Sequence, residues 1–284
     1  MSIGLVYIVV NKRKNTKDGG TIRSQYNLAI TSAESVKKHI PDIDITLFTN
    51  LESISEFDKV FDNIIMVDKL ETHHMMWQKK WEYMSISPYD ITLHLDADTY
   101  ACSNFSEVFK MMDHFDMAIP MSPYYFSRSK MGVPECYPEL AGGMFVFKKN
   151  DKTKKFINDM IEELKNRHRY YTDEPYIRKL LYYSDIRYAV LPMEYNCVVT
   201  HPGYLFGKIK IAHGRCDLAE NAELINKHQG RRIFSGETLY LMDHAQKFVT
   251  VIKEIKYGHS KYTKGPKKRG NTPPRNTIPQ GETF

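Results

Sequence analysis

Two carboxylates two residues apart close the segment His94-Leu95-Asp96-Ala97-Asp98-Thr99. They follow Ile91–Leu95 (ITLHL), a short apolar run of the kind that forms a buried strand. In extended chain, residues i and i+2 point the same way, so the Asp96 and Asp98 oxygens can converge on one cation. Hard oxygen ligands suit Mg2+ or Mn2+. Such an ion can bridge two phosphates and stabilise the charge that gathers on a departing diphosphate. Open α/β sheets also bind their ligands beyond the carboxyl ends of the strands, where this pair falls. A plainer reading stands beside this one: Asp-x-Asp is common by chance, and Asp98 also suits the cap of a turn or of the helix near Asn104.

The elements that would carry the pair follow from apolar periodicity. Ile3–Val10 is a nearly continuous apolar run and reads as a buried strand. Asn11–Gly20 is a polar loop, and residues 22–39 have Tyr26, Ala29, Ile30, Ala33 and Val36 at helical spacing before Pro41. Strands are predicted at Asp44–Thr49, Asn63–Val67, Asp116–Pro120, Met144–Phe147, Arg187–Leu191 and, as the last, Lys208–Ala212. Helices are predicted over 74–86, Asn104–Met112, Asp151–Arg167 and Asp173–Tyr183. Residues 121–139, with three prolines and several aromatics, read as a long loop. Strands alternating with helices predict an α/β sandwich around a largely parallel sheet.

Composition narrows the class. Apolar residues make up 42% and charged residues 26%, ordinary for a globular chain of 284 residues. The net charge of +6 is concentrated in the tail, where Lys261, Lys264, Lys267, Lys268, Arg269 and Arg275 stand against Glu282. Residues 1–260 are therefore close to neutral, which argues against a nucleic-acid face spread over the fold. We expect one domain over 1–260 and a basic, proline-containing, disordered tail over 261–284. The tail is the one segment suited to a peripheral contact with an anionic membrane. No C-x-x-C pair occurs among the four cysteines, and no apolar run is long enough to span a membrane or to serve as an export signal. These features predict a cytoplasmic protein with free thiols.

Four segments, in order along residues 77–215, resemble the glycosyltransferases of GT-A fold, most closely the retaining, glycogenin-like and lipopolysaccharide-galactosyltransferase-like family. WQKKWEYMSISPYDITLHLDADTY resembles the family's donor-binding region. Leu140-Ala141-Gly142-Gly143-Met144-Phe145-Val146-Phe147 is similar to the strand that lines its donor sugar. Thr172-Asp173-Glu174-Pro175 resembles its Asp-Gln segment, and Ile211-Ala212-His213-Gly214-Arg215 its late His-x-x-Gly segment. The resemblance implies a Rossmann-like three-layer sandwich with a mostly parallel mixed central sheet. It implies transfer of a sugar, with retention, from a nucleotide-sugar donor such as a UDP-sugar to a glycan or glycoprotein acceptor.

It also implies roles. Asp96, Asp98 and His213 would ligate Mn2+ or Mg2+. Lys80, or its neighbour Lys79, would lie near the donor. Ala97, Gly142, Gly143, Gly214 and Arg215 would contact the donor, and Tyr7 would stack on its base. Asp173 and Glu174 would be the catalytic carboxylates. Each has an ordinary alternative: a solvated helix face for the lysines, a tight turn for the glycines, a helix N-cap for Asp173, a core position for Tyr7. Glu174 departs from the family's Gln, and Cys216-Asp217-Leu218-Ala219 stands where the family continues to a diphosphate-binding Lys, leaving Arg215 to supply that charge. A nucleotidyltransferase is the competing enzyme class, with only Gly19-Gly20 to offer as a phosphate loop. A non-catalytic nucleotide- or nucleic-acid-binding protein is the competing non-enzyme.

Overall fold

The computed structural model describes residues 1–10, 20–51, 59–68, 70, 75–123, 131–165, 172–199, 201–215, 217–228, 230–235, 238–242 and 248–252. The tail 261–284, the Gly19 position and the loop aromatics Tyr124, Tyr125 and Phe126 lie outside the described residues.

A seven-stranded mixed sheet organises the chain. Its strands are β1 (Ile3–Val9), β2 (Asp44–Thr49), β3 (Asn63–Met66), β4 (Ile91–Leu95), β6 (Met117–Pro120), β7 (Met144–Lys148) and β8 (Tyr188–Leu191); a short β5 (Thr99–Ala101) follows β4 and belongs elsewhere. The order across the sheet is β3-β2-β1-β4-β7-β6-β8. Only β7 runs against the others: it pairs antiparallel with both β4 and β6, while the remaining pairs are parallel. The order turns back at β1, which has β2 on one side and β4 on the other.

Alternation along β1 sorts the two faces. Leu5, Tyr7 and Val9 join one core cluster with Tyr26, Ala29, Ala33 and Val36 of helix α1 (Gly20–His39). Val6 and Val10 join another with Trp81, Tyr83 and Met84 of α2 (Met75–Ser85), Phe156, Ile157, Met160 and Leu164 of α3 (Asp151–Lys165), and Tyr176, Ile177 and Leu181 of α4 (Glu174–Tyr183). The side-chain period of a strand is two, so each face of the sheet meets its own helical layer. At about 25 cal/mol per Å2 of apolar surface removed from water, these two clusters carry most of the fold's hydrophobic stabilisation.

The expected helix over Asn104–Met112 is a 3-10 turn, Ser106–Asp113. Asn104 starts it, its Oδ1 accepting from the Ser106 N–H at 2.9 Å, so Asp98 does not serve as that cap. The chain past residue 191 also holds more structure than its sequence suggested. Strands β9 (Cys197–Val198) and β11 (Ile211–His213) join β5 in a small sheet ordered β5-β11-β9. Strand β10 (Gly203–Leu205), helix α5 (Leu218–Asn226), and strands β12 (Arg232–Ser235), β13 (Thr238–Met242) and β14 (Phe248–Ile252) complete the chain. A four-stranded sheet is ordered β10-β12-β13-β14, so Lys208–Ala212 is not the last strand. Strands of two to five residues leave too little alternation to read. The pair Gly236-Glu237 between the apolar runs of β12 and β13 was the one legible hairpin signal.

Candidate active site

The site grows from the reversal of strand order at β1 and β4. The backbone leaving β4 places Asp96 and Asp98 at the carboxyl edge of the sheet, next to the carboxyl end of β1. Because β7 is antiparallel to β4, its start lies at that same edge, and the Asp96 N–H donates to the Gly143 carbonyl at 2.8 Å. The small sheet then supplies the imidazole. β11 pairs with β5 so that His213 stands opposite Thr99, and the Gly214 N–H donates to the Asp98 carbonyl at 2.9 Å. Gly214 has φ of 137°, a bend that favours glycine and turns the chain out of β11.

Asp96, Asp98 and His213 therefore meet, with one potential ligand atom from each lying within 4.8 Å of the others. His213 Nε2 is 3.4 Å from Asp98 Oδ1. Its Nδ1 is 2.9 Å from Asn196 Oδ1, and since that oxygen can only accept, the ring proton lies on Nδ1. The Nε2 lone pair then faces a carboxylate oxygen, an arrangement that calls for a proton or a cation between them. Two hard oxygens and an oriented imidazole fit a divalent metal ion.

The charges around the triad are strongly shifted. Burial would raise the Asp96 carboxyl, but the Lys80 ammonium and the His94 contact at 3.1 Å hold it well below the ordinary carboxylate range. Burial likewise opposes ionisation of Asp98, and His213 outweighs it. His213 is raised, burial being overcome by Asp98 and Asp96. His94 is lowered by burial and by Lys80, while its Nδ1 donates to the Val6 carbonyl at 3.2 Å.

Lys80 is the hub of the opposite wall. Although it is only 5% exposed, its Nζ donates to the Gly142 carbonyl at 2.6 Å and lies 3.4 Å from both Asp96 Oδ1 and Asp173 Oδ2. Burial disfavours its charge, but Asp173 and Asp96 raise its pKa above the usual lysine value. Lys79 instead pairs with Glu82 at 2.6 Å along α2, so of the two lysines Lys80 is the one in the site. Asp173, 2% exposed, accepts from Trp81 Nε1 at 3.1 Å. Its side chain does not cap α4; Thr172 Oγ1 accepts the Glu174 N–H at 3.2 Å instead. Glu174 takes a hydrogen bond from Ser122 Oγ at 3.3 Å, and burial with the adjacent Asp173 and nearby Glu139 pushes its carboxyl up to about 8.

A cleft of about 490 Å3 unites these groups, lined by Lys80, Asp96, Ala97, Asp98, Gly142, Gly143, Asp173, Glu174, His213 and Arg215. Gly142 and Gly143 form a turn and also permit close approach: a Cβ at 142 would lie 2.8 Å from Asp173 Oδ1. Arg215, with its side chain 72% exposed, stands at the mouth, Nε 3.4 Å from Asp98 Oδ2.

Tyr7 is the correction. It is fully buried, its hydroxyl bonded to Ser32 Oγ at 2.7 Å and its ring edge-on to Phe61, so it has no face to offer a base. Position along β1 explains this: Tyr7 packs within the α1-side core, while Ile8, Val9 and Val10, at the carboxyl end of the strand, reach the cleft with Gln25 and Leu28. Trp77, His94, Thr172 and Asn196 also belong to the site or support it and were not singled out from the sequence. Trp77 lies at i−3 from Lys80 and was legible as a neighbour on α2. Asn196 carries no local signal, since only the pairing of β9 with β11 brings its segment beside His213.

The described cysteines Cys102, Cys136 and Cys197 form no disulfide. Among the described residues no helix is long and apolar enough to cross a membrane. No family model matches the chain, and no curated protein matches it.

Proposed function

We propose that this chain is a metal-dependent glycosyltransferase of GT-A fold that transfers a sugar from a nucleotide-sugar, a UDP-sugar by preference, to a glycan or protein acceptor with retention. The observation that carries the reading is the convergence of Asp96, Asp98 and His213 on one wall of a cleft whose other wall holds buried Lys80 and the Asp173-Glu174 pair. The cleft opens at the switch in strand order, the usual ligand position in open α/β sheets. Its volume of about 490 Å3 is in the range of small-molecule sites.

In this reading Asp96, Asp98 and His213 would hold Mn2+ or Mg2+, which when bound neutralises charge on the leaving diphosphate. Lys80 fixes the Gly142 carbonyl, keeps Asp96 ionised and holds Asp173 in a fixed geometry. Arg215 at the mouth adds a planar cation suited to phosphate. The apolar wall of Ile8, Val9, Val10 and Leu28, with Gln25 beside it, takes the base in place of Tyr7. Asp173, locked by Lys80 and Trp81, receives a sugar hydroxyl. We favour same-face displacement, in which the leaving phosphate takes the acceptor's proton, because Asp173 is already bound on Oδ2.

The test is thermal-shift screening of nucleotide-sugars with and without Mn2+, since a ligand of the folded state raises its stability. A metal-dependent shift that disappears in Asp98→Ala supports the reading. No shift with any nucleotide-sugar, metal present, refutes it.

A further inference from the structure

Among the described residues, one carboxyl on the cleft wall forms no ion pair. Glu174 opens α4 beside the buried Asp173. Lys80 Nζ is divided between Asp96 and Asp173 at 3.4 Å each and bonds the Gly142 carbonyl at 2.6 Å. Arg178, one turn along α4, is turned the other way: its Nε lies 3.9 Å from Glu139 Oε2 and donates to the Tyr137 carbonyl at 2.9 Å, and its Nη2 donates to the Pro134 carbonyl at 2.6 Å. His213 faces Glu174 through space, but its ring is held by Asp98 and Asn196.

A helix N-terminus ordinarily supports a carboxylate with free N–H groups. Here they are spent. The Glu174 N–H goes to Thr172 Oγ1, Pro175 has none, and those of Tyr176 and Ile177 both go to the Asp173 carbonyl at 3.0 Å. The Glu174 carboxyl accepts its hydrogen bond from the neutral Ser122 hydroxyl. Among the described residues, an ionised Glu174 would lie beside Asp173 with no ion-pair partner of its own, Lys80 acting on it only from a distance while held by Asp96 and Asp173.

We propose that Glu174 works as an uncharged carboxylic acid that donates its O–H to an oxygen of the bound sugar, with Asp173, held by Lys80 and Trp81, as the accepting member of the pair. Its identity as a sugar-binding group rests on the glycosyltransferase reading above. The upward displacement of its carboxyl to about 8, caused by burial and then by Asp173 and Glu139, agrees with this geometry; Ser122 and Lys80 pull the other way and are outweighed. A carboxylate can only accept hydrogen bonds, whereas the acid also gives one, so the wall presents one donor and one acceptor to adjacent hydroxyls. An uncharged acid is also a poor nucleophile, so no covalent sugar forms on Glu174 in this state.

The first experiment needs no substrate. The full-length protein is labelled at the carboxyl carbon of glutamate and titrated by 13C NMR, the Glu174 signal being the one missing from Glu174→Gln. A midpoint near the value of about 8 supports the proposal, and one near the ordinary 4.5 overturns it. The second is the pH profile of kcat/KM. Above its midpoint the wild type should lose about tenfold per pH unit as the donor proton is lost. Glu174→Ala should fall by roughly 100-fold, and Glu174→Gln, whose amide keeps a donor, should recover part of that rate with no alkaline limb. A Gln variant as slow as Ala, or one that keeps the limb, overturns the proposal. Should the wild type transfer no sugar at all, the functional reading fails while the NMR midpoint still decides the protonation state.

Discussion

Gly143 and His213 are fitted to one another: a Cβ on Gly143 would lie 2.4 Å from Cε1 of His213 and 2.8 Å from its Nδ1. The imidazole reaches the carboxylates only because residue 143 has no side chain. Gly143→Ala must therefore move the ring, and Nδ1, the atom nearest the new methyl apart from Cε1, is the one that bonds Asn196. We expect about 10- to 100-fold weaker Mn2+ binding with the fold retained, measured by calorimetry alongside circular dichroism. Unchanged affinity would mean that His213 is not a ligand.

Asn196 touches no candidate ligand atom, yet it sets which His213 nitrogen carries the proton. Asn196→Ala should release the ring and weaken metal binding by about tenfold or more. Asn196→Asp keeps an acceptor at the same place and should restore most of the affinity. A metal titration of the three proteins checks this, and equal affinities for all three would remove Asn196 from the site.

Lys80 is shared between two carboxylates inside the protein. Lys80→Met keeps the volume and removes the charge, leaving Asp96 and Asp173 without their ammonium. The expected loss is about 3–5 kcal/mol of stability at neutral pH, the usual cost of breaking a buried pair from one side. Lys80→Arg should not rescue it, because a guanidinium fork does not fit a site only 5% exposed. Urea unfolding gives both numbers.

Glu174 makes stability fall as pH rises. Its carboxyl moves from the ordinary 4.5 in the unfolded chain to about 8 in the fold. Below the lower value both states hold the proton. Between the two the unfolded chain has released it and the folded chain has not, so unfolding becomes easier with each pH step. Above the upper value both are ionised and the loss is complete, at most a few kcal/mol. Glu174→Gln should lack this component, so the difference between its stability and the wild type's should widen over that window. A constant difference would show that Glu174 ionises normally in the fold.

Much of the central sheet was legible because its strands are apolar runs closed by polar breaks. β2 and β4 have the limits their sequence suggests, and α1, α2 and α3 differ from expectation only near their ends, where intrahelical hydrogen bonding stops. The strands after residue 196 were mostly not legible, since β9, β10 and β12 have two, three and four residues and their stability comes from pairing. Tyr7 shows the same limit at the scale of one side chain. An aromatic near the end of a strand can face either layer, and packing against Ser32 and Phe61 makes the choice.

The sequence by itself determined the local chemistry: two carboxylates at i and i+2 after a buried strand, a Gly-Gly step before another, an Asp-Glu pair at a helix start. Spacing along one segment is enough for that, because strand and helix periods fix which side chains share a direction. Only the tertiary structure decided that His213 stands beside Asp98, that Lys80 is shared between Asp96 and Asp173, and that Arg178 is turned to Glu139 rather than to Glu174. Those relationships join residues on separate elements through sheet register and burial, which set both distance and desolvation; spacing along the chain does not encode them, and only the family resemblance pointed to His213 and Lys80.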